Sequence, residues 1–135
     1  MRVVICVDEK GGIVFNNRRQ SRDRILIEDL RKTVGSDCLV VSPYTAKLFE
    51  EHWPGLKICD NPLVHAGDQD FCFVELVGIS EYKNKISELT IYNWNRHYPA
   101  DKVLDLRPED IGLTLKESYD FVGSSHDKIT KEIYG

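Results

Sequence analysis

The chain has 135 residues, 41% hydrophobic and 30% charged, a balance that suits one globular domain over residues 1–135 and excludes a disordered polymer. Eighteen Lys and Arg against twenty-two Asp and Glu give a net charge of −4, which excludes a wholesale electrostatic grip on nucleic acid and leaves only a local basic patch for it. No apolar run approaches the ~20 residues that cross a bilayer, so the expectation is a cytoplasmic protein with no membrane association.

Val3 to Val7 is continuously apolar and mostly β-branched, the pattern of a strand covered on both faces. Asp8 ends it, and Glu9 to Arg22 is a loop rich in Gly, Asn and Arg. From Asp23 to Val34 the residues Leu26, Leu30 and Val34 recur every four, predicting a helix with Ser21 as N-cap and Gly35 as stop. Cys38 to Val41 is a second buried strand, and Ser42-Pro43 reads as N-cap and first turn of a short helix reaching about His52. Leu56 to Cys59 is a brief strand before the turn Asp60-Asn61-Pro62. Strands alternating with helices predict a mixed, mainly parallel sheet flanked by helices, because parallel neighbours need crossovers.

Phe71 to Glu75 is a further apolar strand, Ser80 to Ile86 makes one or two helical turns, and Leu89 to Trp94 resumes as strand. Gly112 to Tyr119 alternates like a strand with one covered face. Lys128 to Tyr134 fits a strand or a final helix equally, since Ile129 and Ile133 share a face in either. Cys6, Cys38, Cys59 and Cys72 sit in or beside apolar runs with no CxxC spacing, and are read as buried reduced thiols rather than nucleophiles.

Three segments could carry chemistry. Asn16 to Arg24 holds Arg18, Arg19, Arg22 and Arg24 just before a helix start, where guanidinium groups and free amides favour an anion; the alternative is a solvated loop paired with the surplus acids. Gly123-Ser124-Ser125-His126-Asp127-Lys128 could bind an anion through its amides or use His126 as acid or base; the alternative is an ordinary turn. Tyr92 to Pro99 interleaves aromatics with Arg96 and His97, as a stacking surface would, or as a strand running into a turn would. No GxGxxG or Walker loop and no HxxxH or HxH pair is present, so no standard dinucleotide, P-loop or histidine-rich metal site is expected.

The order of elements resembles the dihydrofolate reductase-like fold. Val4 to Asp8, Gly12-Ile13 and the Asn16 loop are similar to that family's first strand and mobile loop, and nearly the whole chain can be laid on its order. The resemblance implies a folate and NADPH site, from which this chain departs. Arg18-Arg19-Gln20 replaces a Leu-Pro-Trp, Ser42-Pro43-Tyr44-Thr45 keeps only the threonine of a basic Gly-Arg-x-Thr element, and Glu75-Leu76 replaces a glycine pair. A second similarity is to short uncharacterised bacterial proteins, some labelled ribonuclease Z, that share the Phe15 to Asp23 loop, Asn95-Arg96 with Tyr98-Pro99, and Gly123 to Glu132; the HxHxDH metal motif of that enzyme is absent.

The leading expectation is a domain without the ordinary reductase site that binds an anionic, nucleotide-like ligand, or RNA, through Arg18, Arg19, Arg22, Ser124, Ser125 and His126. One rival is an NADPH-dependent reductase with Asp23 or Glu28 as proton donor and Thr45 near the cofactor. The other is an interaction module, a homodimer among its forms, with Trp94, Arg96 and Tyr98 as exposed contacts.

Overall fold

The computed structural model describes residues 1–16, 19, 22–49 and 51–135. The opening apolar run is β1 (Arg2–Val7), and both its faces are covered: Val4 joins one core, Val3, Ile5 and Val7 the other. Parallel neighbours β5 (Phe71–Val74) and β6 (Glu88–Asn93) flank it, with Val3 opposite Cys72 and Leu89. β3 (Leu39–Val41) pairs in parallel with β5 and with β4 (Leu56–Ile58). β9 (Ile129–Tyr134) and β8 (Leu115–Phe121) extend the far side antiparallel, giving the order β4-β3-β5-β1-β6-β9-β8. The sheet is therefore mixed and mainly parallel, as the alternation of elements predicts.

α1 (Arg24–Val34) covers one face. Its spacing of four buries Leu26, Leu30 and Val34 against Val4, Leu39, Phe73, Tyr92 and Ile129, and each such burial is worth roughly 2 kcal/mol. The N-cap is Asp23, whose carboxylate accepts from the amides of Ile25 and Leu26 at 3.0 and 3.2 Å. Ser21, the cap expected from sequence, lies outside the described residues. Gly35 closes the helix as expected, at φ +59°. Among the described residues the other face has no long helix. α3 (Pro62–His65), a 3₁₀ turn at Ser80–Lys85 and the segment up to Leu106 cover it with Leu63, Ala66, Ile79, Ile86 and Leu106.

Several expectations need correction. The helix opened by Ser42 is α2 (Pro43–Ala46) and stops well short of His52, because the amides of Lys47, Leu48 and Phe49 turn back to carbonyls three residues earlier. The strand expected over Gly112 to Tyr119 is β8, exposed along most of its length rather than covered on one face, because it lies at the end of the sheet and contributes no buried residue to either core cluster. The ambiguous terminus is strand β9, since pairing with β6 on one side and β8 on the other satisfies its backbone. A small ribbon, β2 (Gly12–Val14) with β7 (Lys102–Val103), is too short to leave a periodic signal. Buried Asp8 holds it in place by accepting from the amides of Lys10, Gly12 and Tyr98 at 2.9, 2.7 and 3.1 Å. All four cysteines are unbridged, Cys72 fully buried and the other three partly so. No helix among the described residues is long and apolar enough to cross a membrane.

Candidate functional site

In an open α/β sheet, adjacent parallel strands whose following segments leave toward opposite faces open a crevice at their carboxyl ends, where ligands bind. β1 and β5 are such a pair: the chain after β1 goes on to α1 on one face, while the chain after β5 enters the opposite core at Ile79. The carboxyl ends of these strands bring Cys6, Glu75 and Leu76 together. Leu76 sits at φ +69°, a strained conformation for a residue with a Cβ, at the point where the polar site begins.

Between β1, β5 and α1 lies a cavity of ≈ 30 Å³, walled by Ile5, Ile13, Phe15, Leu26, Phe73 and Trp94 and edged by Arg19, Asp23 and Glu75. That is room for a water or two and for no ring system. A knot of polar contacts closes it. Arg19 meets Glu75 through two hydrogen bonds, Nε to Oε2 at 2.7 Å and Nη2 to Oε1 at 2.8 Å, and lies over the Tyr44 ring with its guanidinium carbon 4.1 Å from the centroid. Thr45 Oγ1 donates to the same carboxylate at 2.8 Å. Burial works against the Arg19 charge, but Glu75 outweighs it and raises the group above its ordinary value. Burial, reinforced by the carboxylates of Glu75 and Asp23, holds the Cys6 thiol well above its usual range, so it is protonated and unreactive near neutral pH.

Beyond Glu75 and Leu76 the crevice widens into a cleft of ≈ 450 Å³ at the carboxyl ends of β3 and β5. Tyr44 and Tyr82 give it aromatic walls, and Asp60, Glu75, Glu81, Asp105 and Lys102 line it with charge. Asp105 accepts from the amides of Ile79 and Ser80 at 2.8 and 3.2 Å and from Ser80 Oγ at 2.7 Å. Those amides, which could have held an anion, are already bound to a carboxylate. Burial opposes the Asp105 charge, yet these donors lower its pKa.

The residues expected from sequence are placed in four ways. Arg18 lies outside the described residues, Arg19 is bound to Glu75, and Arg22 is exposed on the rim, between the small cavity and a groove of ≈ 240 Å³ that it shares with Arg24 and Arg31. Ser124, Ser125 and His126 come from the far end of the chain to wrap Asp23: the amides of Ser124 and Ser125 donate at 3.0 and 2.9 Å, and His126 Nδ1 stands 3.3 Å away. The anion held by this turn is the chain's own Asp23. Burial alone would raise the Asp23 pKa, but the amides of Ser124, Ser125 and Leu26 with His126 hold it far below the ordinary carboxylate range. Burial holds His126 below its ordinary value despite Asp23, with the ring stacked on Trp94 at 4.1 Å.

The rival readings fare unevenly. Asp23 is ionised and surrounded by donors, which ill suits a proton donor, and Glu28 is exposed, paired at 3.5 Å with Arg24. Trp94, expected as an exposed contact, is buried, because strand alternation turns it with Tyr92 toward α1. Arg96 is exposed 3.4 Å from Asp127, and Tyr98 packs edge-on against Phe15 at 5.7 Å, so the aromatic stretch forms no open platform. Sequence reading missed Tyr44, Asp60, Glu81, Lys102 and Asp105. Only Glu75 left a signal, as a carboxylate ending a fully apolar parallel strand.

No family model and no curated protein matches this sequence. Among solved structures it is similar to a dihydrofolate reductase from Enterococcus faecalis complexed with NADP(H) and RAB-propyl, with a TM-score of 0.67, 9% identity, and coverage of 98% of this chain and 94% of that one. At that identity the likeness concerns the backbone and not the side chains. The chain has a dihydrofolate reductase-like fold, with a knot of its own residues closing the crevice between β1 and β5.

Proposed function

We propose that the chain binds a nucleotide-like ligand whose body occupies the ≈ 450 Å³ cleft and whose anionic group turns toward the arginine-bearing rim at Arg22. The observation that carries this reading is the cleft itself: it lies beside the topological switch point, has the volume of a small-molecule site, and offers aromatic walls with a few polar groups. The Enterococcus faecalis protein of similar fold is complexed with NADP(H), so a nucleotide suits this scaffold. Arg19 serves the site by neutralising Glu75, and the turn Ser124-Ser125-His126 serves it at one remove, by fixing Asp23 beside Arg22.

A reductase reading draws less support. The ≈ 30 Å³ cavity has no room for a second ring, and the amides of Ile79 and Ser80 are committed to Asp105 rather than to a cofactor's phosphates. The test is calorimetric titration of the intact protein with the four 5′-mononucleotides, NADPH, folate and a short RNA. At least one mononucleotide should bind, and Arg22→Ala should weaken it about tenfold, the worth of one charge-assisted contact, while flattening its salt dependence. Binding of none of these ligands would sink the proposal, and tight NADPH binding would restore the reductase.

A further inference from the structure

We infer that the cleft selects a ribose with free hydroxyls and rejects one that carries a phosphate. The inference rests on the reading above for the location of the ligand and adds the identity of the sugar.

Among the described residues the lining sets Lys102 against the carboxylates of Asp60, Glu75, Glu81 and Asp105. Two of these acids are already satisfied, Glu75 by Arg19 and Thr45, and Asp105 by Ile79 and Ser80. Asp60 and Glu81 are exposed on the walls and have no hydrogen-bond or ion-pair partner among the described residues. A carboxylate in that state is an acceptor only. It matches a group that donates, such as a sugar hydroxyl, and repels a second anion. Carboxylates that accept from ribose hydroxyls, where an arginine would accommodate a sugar phosphate, are the general chemical basis for telling the two apart.

A phosphate placed in the cleft finds few donors. Among the described residues Lys102 is the one cation of the lining, and the nearby pair of successive amides is occupied by Asp105. Moving Asp105 aside would add its own charge to the repulsion. The cofactor in the Enterococcus faecalis complex, NADP(H), carries a ribose phosphate, so the two proteins would differ in the sugar they accept while sharing a fold. Tyr44, whose ring carries Arg19 on one face, and Tyr82 line the same cleft, so a base there would lie beside aromatic surface while the sugar reaches the acids.

The experiment compares four probes for each base on the intact protein: the nucleoside, its 5′-monophosphate, its 2′,5′-bisphosphate, and its 2′,3′-dideoxy form. The nucleoside should bind, the 2′-phosphate should weaken binding tenfold or more against the 5′-monophosphate, and loss of both hydroxyls should weaken it several-fold. Asp60→Asn combined with Glu81→Gln should erase the penalty against the 2′-phosphate; both side chains are exposed, so the fold should persist. A bisphosphate that binds as well as the monophosphate, a penalty that survives in the double variant, or no nucleoside binding would each overturn the inference. A nucleoside that binds with the expected discrimination, while its 5′-phosphate adds nothing, would remove the role of Arg22 and leave this inference standing.

Discussion

Asp23 shows how a single carboxylate can be misread when its partners are distant. In sequence it stands at a helix start among arginines, where a proton donor or a ligand contact is a natural reading. In the fold it caps α1 and receives the turn at Ser124-Ser125-His126, about a hundred residues away, a closure that no local pattern announces. Asp23→Ala should cost about 2–4 kcal/mol, the loss of a cap plus stranded buried donors, measured by chemical denaturation. A loss under 0.5 kcal/mol would show that the cluster is not holding the fold. The pH dependence follows from pKa values lowered in the folded state. His126 lies below its ordinary value, so its share of stability is present above about pH 6.5 and is lost as pH falls through its folded value. Asp8, Asp23 and Asp29 are likewise lowered, so theirs is present above about pH 4 and lost in more acid solution. Stability should therefore be level between about pH 7 and 8, fall in two stages on acidification, and fall again in alkaline solution, where the raised thiols of Cys6 and Cys72 and the raised hydroxyl of Tyr92 oppose ionisation; a maximum near pH 5 would contradict this.

Among the elements, the antiparallel side of the sheet is braced by one polar cluster. Lys131 on β9 is buried and reaches Asp29 on α1 at 2.9 Å and the Tyr119 hydroxyl of β8 at 2.9 Å. Tyr92 of β6 and Tyr119 donate to the same Asp29 carboxylate at 2.6 and 2.8 Å. Four elements thus meet at one ion pair. Lys131→Met should destabilise by about 3 kcal/mol, because it removes one partner of a buried pair, and Asp29→Asn added to it should cost much less than the sum of the two single changes. Additive losses in that cycle would show that the two residues do not act together. Gly123→Ala is a sharper probe of the same region. A Cβ there would meet Asp23 Oδ2 and Ile129 Cδ1 inside contact distance, so melting temperature should fall by several degrees. The helix α1 and the buried strands were legible because their periodicity is driven by burial. β9 was not, since Ile129 and Ile133 satisfy both periods and only pairing with β6 and β8 decides between them.

Taken as a whole, the molecule divides into buried central strands, β5, β1 and β6, and exposed end strands, β4 and the longer β8. β1 has strand neighbours on both sides and cores on both faces, whereas β8 has one strand neighbour and is exposed along most of its length. Hydrogen exchange should be slowest in β1, β5 and β6 and fastest in β8; equal protection would argue against this division. The parallel order could be read from the alternation of elements, but the cleft could not. It is assembled from short segments around Tyr44, Asp60, Glu81 and Asp105 that carry no periodic signal, and the arginines that drew attention in sequence are partly spent on internal carboxylates. The measurement that bears most directly on the proposed site is a map of backbone amide NMR shifts on titration with the tightest-binding mononucleotide. Shifts concentrated at Ser42 to Thr45, Asn61 to Val64 and Leu76 to Tyr82, with a smaller set near Arg22, are the expected result. Shifts confined to β8 and β9, or none at saturating ligand, would contradict it.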